Sequence, residues 1–175
     1  DFNNPTADMI CSEDIAHALS KICRFGGHTS GHYSVAAHCL LVAALAPEGL
    51  KLEALMHDAT ETFVGDVIKP LKNILGSVYE NIEHSFEAVI IEKYHLDKAN
   101  LALIKQYDRQ ALELEHTAYI KDDIMVFKYI YSLVIAEIGG NFQPYQLPHI
   151  FLRQLAKYEK YRKANLEQRD NIYFI

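Results

Sequence analysis

The segment YSVAAHCLLVAALA, Tyr33 to Ala46, constrains the fold more than any other part of the chain. Its length and almost unbroken apolar character predict a helix, and Pro47 and Gly49 stop it. At 14 residues it is too short for a membrane span, which needs roughly 20, so no membrane partner is expected. One imidazole, His38, interrupts the apolar run.

Helical spacing recurs along the rest of the chain. Ser12 reads as an N-cap, with Glu13 and Asp14 in the first turn to complement the helix dipole. Ile15, Ala16, Leu19 and Ile22 then form a stripe, and this helix is predicted to end near Arg24–Phe25, before Gly26 and Gly27. A third helix is predicted from Leu50 to Val64, ended by Gly65. DVIKPLKNIL reads as a short helix or turn interrupted by Pro70. Longer helices follow from Ser77 to Tyr94 and from Lys98 to Ile120. IMVFKYIYSLVIAEI is rich in strand-forming residues, but it is long and does not alternate, so it is read as a helix. The last helix starts near Pro148. With no repeat or linker in sight, the expectation is an all-α single domain over residues 1–175, a bundle of about seven helices.

The net charge of −6 argues against a broad nucleic-acid surface but leaves room for a local basic pocket. The basic stretch KYEKYRK is accordingly read as a solvated helix face. Three cysteines without close C-x-x-C spacing suggest neither a disulfide framework nor a zinc ribbon. No signal peptide is visible, and the expected location is cytoplasmic.

LMHDATETFVGD, Leu55 to Asp66, brings chemistry into this apolar frame. A divalent ion at an N/O site takes imidazole and carboxylate ligands together, and His57 with Asp58 supplies one of each. Adjacent helical residues point about 100° apart, so both reach one ion only near the helix edge. Further ligands must come from elsewhere, and His38 and Asp108 are the candidates. Such an ion would lower the pKa of water and polarise a phosphoryl oxygen. Glu61 follows Asp58 by three residues and lies on nearly the same face, where it can handle a water proton. Lys69, Lys72 and Arg24 are the local cations able to offset charge on phosphate oxygens.

The motifs DIAHALSKICRFGGHT, HYSVAAH, ALMHDATETFVGDVIKPLK and IKQYD, in this order, resemble the HD-domain phosphohydrolase superfamily. The likeness is to the branch of bacterial 5′-deoxynucleotidases and phage deoxyadenosine triphosphate triphosphohydrolases, and it runs from about Asp14 to Glu115. The resemblance implies that His38, His57, Asp58 and Asp108 hold a divalent metal: cobalt, manganese, zinc, nickel, iron or magnesium. It implies that Glu61 handles the proton of the attacking water, with Asp66 as a second acid beside the phosphate. It places Arg24, Phe25 and Lys72 around the substrate; Lys69 as a local cation, Pro70 as a rigid backbone position and His28, in the loop before the second helix, are added as candidate contacts. Relatives often carry Arg-Trp where this chain has Arg24–Phe25, and the chain contains no tryptophan.

The expected activity is therefore metal-dependent hydrolysis of small nucleotides, 2′-deoxynucleotides foremost, at the alpha phosphate. The product is tripolyphosphate from a triphosphate or phosphate from a 5′-monophosphate, and both remain open. A non-hydrolytic nucleotide-sensing domain is the alternative. Resemblance also implies a homo-oligomer. Glu113 and Glu115, at helical spacing from Arg109, read as members of intrahelical ion pairs.

Overall fold

The structure is a computed structural model that describes the backbone of residues 1–172 and the side-chain surroundings of residues 1–166. The fold is all-α, as expected. Its helices are α1 (Ser12–Leu19), α2 (Val35–Leu45), α3 (Lys51–Met56), α4 (Glu61–Val64), α5 (Lys69–Leu75), α6 (Ser77–Tyr94), α7 (Lys98–Glu115), α8 (Ile124–Ile138) and α9 (Leu147–Ile172). A π-turn, His116–Ile120, extends α7. The only strand-like pairing among the described residues is a bridge between Cys23 and Ser34.

Helix α2 is the centre of the bundle. Leu40, Leu41, Val42 and Ala43 are fully buried, and so are Ala36 and His38 on the preceding turn. A helix apolar on every side finds partners on every side, and α2 packs against α1, α3, α7, α8 and α9. Ser34 caps it, its hydroxyl accepting from Ala37 N. Helix α8 forms as expected, capped by Asp123 at its start and by Gly139 in the left-handed conformation at its end. Among the described residues no helix is long and apolar enough to cross a membrane.

Four boundaries differ from expectation, each for a local reason. Helix α1 ends at Leu19 rather than near Phe25, because the chain turns there and Arg24 N bonds to Tyr33 O, tying it to the segment before α2. Ser12 is the first helical residue rather than the cap, and its hydroxyl pairs with Tyr94 OH at 2.8 Å. Pro70 does not interrupt α5; it sits in its first turn, where a missing N–H costs nothing. The predicted helix Leu50–Val64 is broken over residues 57–60. There the backbone tightens to i→i+3 bonds: Ala59 N to Met56 O, Glu61 N to Asp58 O and Phe63 N to Thr60 O. The break carries His57 and Asp58.

Candidate metal centre

His38 enters from α2, His57 and Asp58 from the turn after α3, and Asp108 from α7. Their polar atoms converge. His38 Nε2 lies 3.2 Å from His57 Nε2, 3.5 Å from Asp58 Oδ2 and 3.2 Å from Asp108 Oδ1. His57 Nε2 lies 3.2 Å from Asp58 Oδ2 and 3.9 Å from Asp108 Oδ1.

The far side of each imidazole settles what faces the centre. His57 Nδ1 donates to Ala54 O at 2.8 Å, and His38 Nδ1 donates to Glu115 Oε1 at 2.5 Å. With each Nδ1 carrying a hydrogen, each Nε2 presents a lone pair. Two nitrogen lone pairs and two carboxylate oxygens then point at one another. Such an arrangement repels itself unless a positive charge sits among the four groups, whether protons or a cation. Without a metal, protons take that role. Burial works against a charged His57, but the adjacent Asp58 outweighs it and holds the imidazole pKa well above its ordinary value. His38 is also raised, burial again opposing and Glu115 prevailing. Asp58 is held far below the carboxylate range, mainly by the charge of His57 working against burial.

The donor set therefore fits a divalent ion. His38, His57 and Asp108 offer ligand atoms all within 4.8 Å of one another, and so do Cys39, His57 and Asp58. The second triad brings in Cys39, which sequence reasoning passed over. Burial pushes its thiol pKa up to about 11, which makes it a neutral neighbour of the imidazole.

Glu115 is the other residue missed. Its expected ion pair with Arg109 is replaced by something quite different, because the side chain is fully buried. Oε1 accepts from both His38 Nδ1 and Tyr33 OH (2.9 Å), and Oε2 accepts from Arg24 at 3.0 Å. Burial would raise its pKa, but the charges of His38 and Arg24 bring it down to about 2. A carboxylate behind a metal-facing histidine fixes the ring and raises its basicity. The signal was present in the sequence: Glu115 follows Asp108 by seven residues, two helical turns, and so shares its face.

Glu61 heads α4 beside this centre. It is 5 % exposed and its Oε2 has no hydrogen-bond partner among the described residues. Burial, followed by repulsion from Asp58 and Asp66, pushes its carboxyl up to about 9. Asp66 is half-buried after Gly65, whose φ of 77° is a conformation that favours glycine.

The expected substrate contacts are scattered. Arg24 is buried against Glu115, with Nη1 3.9 Å from Asp58. Phe25 takes a left-handed conformation (φ 55°) that brings its ring to 5.6 Å from the guanidinium carbon. Lys72 pairs with Glu83 at 2.8 Å and lies over the Tyr79 ring, while Lys69, Pro70 and His28 are exposed. The cavity that opens onto His57, Asp58 and Asp108, about 540 Å³, runs instead between α6 and α7. Its walls include His84, Lys98 and Lys105, and none of the six expected contacts lines it.

No protein-family model matches the chain. It is 38 % identical to the uncharacterized protein RCAP_rcc00048 of Rhodobacter capsulatus over 115 residues, which are 61 % of this chain and 59 % of that protein, less than two thirds of its length. It is 44 % identical to the uncharacterized protein YfdR of Escherichia coli (strain K12) over 122 residues, 70 % of this chain and 68 % of that protein. By that identity and coverage, the chain belongs to the family of YfdR.

Proposed function

We propose that this protein is a metal-dependent phosphohydrolase of the HD-domain type, acting on small 2′-deoxynucleotides at the alpha phosphate. The observation that carries this reading is the convergence of His38, His57, Asp58 and Asp108, with both Nε2 lone pairs turned inward. A divalent ion held by these four residues would lower the pKa of water and draw charge from a phosphoryl oxygen. Glu61 would take the proton of the attacking water once a bound cation offsets the repulsion from Asp58 and Asp66 and leaves its carboxyl ionised; its unpartnered Oε2 suits it to that role. Arg24, fixed by Glu115, keeps a cation at the edge of the site. Lys98 and Lys105 supply positive charge along the cavity wall, where phosphate oxygens beyond the reacting one would lie.

The same proposal includes a homo-oligomer. It is supported by the run of exposed apolar residues on α5 and the start of α6, with Ile74 81 % and Val78 71 % exposed.

The test is a panel of nucleoside mono- and triphosphates with cobalt, manganese, zinc, nickel, iron and magnesium in turn, and chemical identification of the inorganic product. Tripolyphosphate identifies a triphosphohydrolase and phosphate a 5′-nucleotidase. Tight metal and nucleotide binding with no product would replace the enzyme by a sensing domain.

A further inference from the structure

A second cavity, about 380 Å³, lies on the other side of Glu115 from the metal centre, between the loop before α2, the π-turn, α8 and the start of α9. Its walls are aromatic. Tyr33 stacks on Tyr119 at 4.1 Å, and Phe127 meets Tyr119 edge-on at 5.6 Å. Tyr131 lies parallel to Phe127 at 6.5 Å, and Phe142 closes the group 5.8 Å from Tyr131.

Among the described residues no Asp, Glu, Lys or Arg lines this space. The one imidazole on its wall, His32, is already engaged by Cys23 Sγ and Ser20 O. A phosphorylated or otherwise charged ligand would lose its hydration here without compensation. A flat π-system would instead meet ring faces and edges on several sides. The hydroxyls of Ser30, Tyr119 and Tyr131 make no hydrogen bond among the described residues and could serve a heteroatom. The volume is at the small end of ligand sites, suited to one or two fused rings.

Tyr33 belongs to both sites. Its ring walls the cavity and its hydroxyl bonds Glu115 Oε1, the same oxygen that holds His38. An occupant that shifts Tyr33 changes the hydrogen bonding of a metal-facing histidine.

We propose that this cavity binds a neutral, planar aromatic heterocycle, and that the occupant acts on the metal centre through Tyr33 and Glu115. The second half rests on the metal-centre reading above; the first does not.

The test is calorimetric titration of the full chain with adenine, indole and tetramethylammonium, each with and without cobalt(II). Adenine or indole should bind, and tetramethylammonium, the ligand of a cation cage, should not. Tyr131→Ala and Phe127→Ala should each weaken binding by about fivefold or more, the loss of one stacking wall. Both rings are more than a third exposed, and Tyr131→Leu repeats the test while keeping apolar bulk. His57→Ala should leave heterocycle binding intact, which separates this cavity from the one beside the metal ligands. Saturating heterocycle should change cobalt affinity by about fivefold, and cobalt should change heterocycle affinity by the same factor.

The ligand site is overturned if neither heterocycle binds, if tetramethylammonium binds in their place, or if the Tyr131 variants bind unchanged. It is also overturned if Tyr131→Ala only disrupts self-association, which would make the cavity a contact between copies. The link is overturned if cobalt affinity ignores occupancy. Should cobalt itself fail to bind, the metal-centre reading and the link both fall, while the heterocycle titrations still decide the cavity.

Discussion

Glu115 Oε1 accepts a 2.5 Å hydrogen bond from His38 Nδ1, and this contact ties the buried end of α7 to the imidazole whose Nε2 faces His57, Asp58 and Asp108. The same carboxylate neutralises Arg24 and anchors Tyr33, so three side chains from before and within α2 depend on one residue at the end of α7. Glu115→Gln keeps the shape but removes the charge, and should weaken cobalt or manganese binding by roughly 10- to 100-fold in calorimetry. Glu115→Ala leaves buried Arg24 and His38 uncompensated, and should cost about 3–5 kcal/mol in denaturant unfolding. Metal affinity unchanged in the Gln variant would show that His38 does not need this support.

Under the proposed reaction, a Glu61 substitution would separate chemistry from binding. Glu61→Gln should lower turnover by about 10²–10⁴-fold, the range for a general acid–base group, while metal affinity stays within a few-fold. Single-turnover assays on metal-loaded protein check the first expectation and calorimetry the second. Full activity in the variant would remove Glu61 from the mechanism.

Metal uptake should depend steeply on pH. His38 and His57 both have raised pKa values in the metal-free fold, so their protonated forms contribute stability below the ordinary histidine pKa of 6.5. That contribution is lost as pH rises through their folded values. A cation competes with those same protons, so its affinity should rise with pH across and above neutrality, and each binding event should release protons. Titrations in buffers of different ionisation enthalpy count them. An affinity flat from about pH 6 to about pH 9 would mean that neither imidazole coordinates.

Much of this could be read from sequence because the helices carry their own punctuation. Gly65, Pro47 and Gly139 end helices where their backbone freedom or ring geometry requires it, and the apolar segment at Tyr33–Ala46 became the central helix. The polar atoms of His38, His57, Asp58 and Asp108 converge because His38 lies on α2 and the other three lie on or beside helices packed on it. What escaped was long-range. Spacing from Asp108 turns Glu115 toward His38, but it does not show that Arg24 and Tyr33 share the same carboxylate, partners that Arg109 nearby in sequence could not supply. The break after Met56 carries weaker punctuation: residues 57–60 hold no Gly or Pro, although His57, Asp58 and Thr60 are poor helix formers. The basic wall of the cavity comes from α7, where Lys98 and Lys105 sit seven residues apart on one face; Lys98 lies outside every quoted motif, and Lys105 lies inside IKQYD, where only Asp108 was given a role.

Glu137 provides a test of the fold that is independent of the metal centre. From α8 it accepts hydrogen bonds from Lys51 at the head of α3 and from Lys157 (3.0 Å) and Tyr158 OH (2.7 Å) on α9. Burial alone would raise its pKa, but these three donors outweigh burial and hold the carboxyl below its ordinary 4.5. A depressed folded pKa means that the stabilisation is fully present above the unfolded value and is lost as pH falls through the folded one. Glu137→Gln should therefore cost about 1–3 kcal/mol at neutral pH, mostly from the partly buried Lys51 and Tyr158 contacts, since Lys157 is exposed and screened. The gap between the two proteins should hold steady above about pH 5 and narrow as the pH drops below about 4.5. Chemical unfolding of both proteins across that range measures it. A gap that widened on acidification would mean that the carboxylate is strained in the fold rather than stabilised by its three donors.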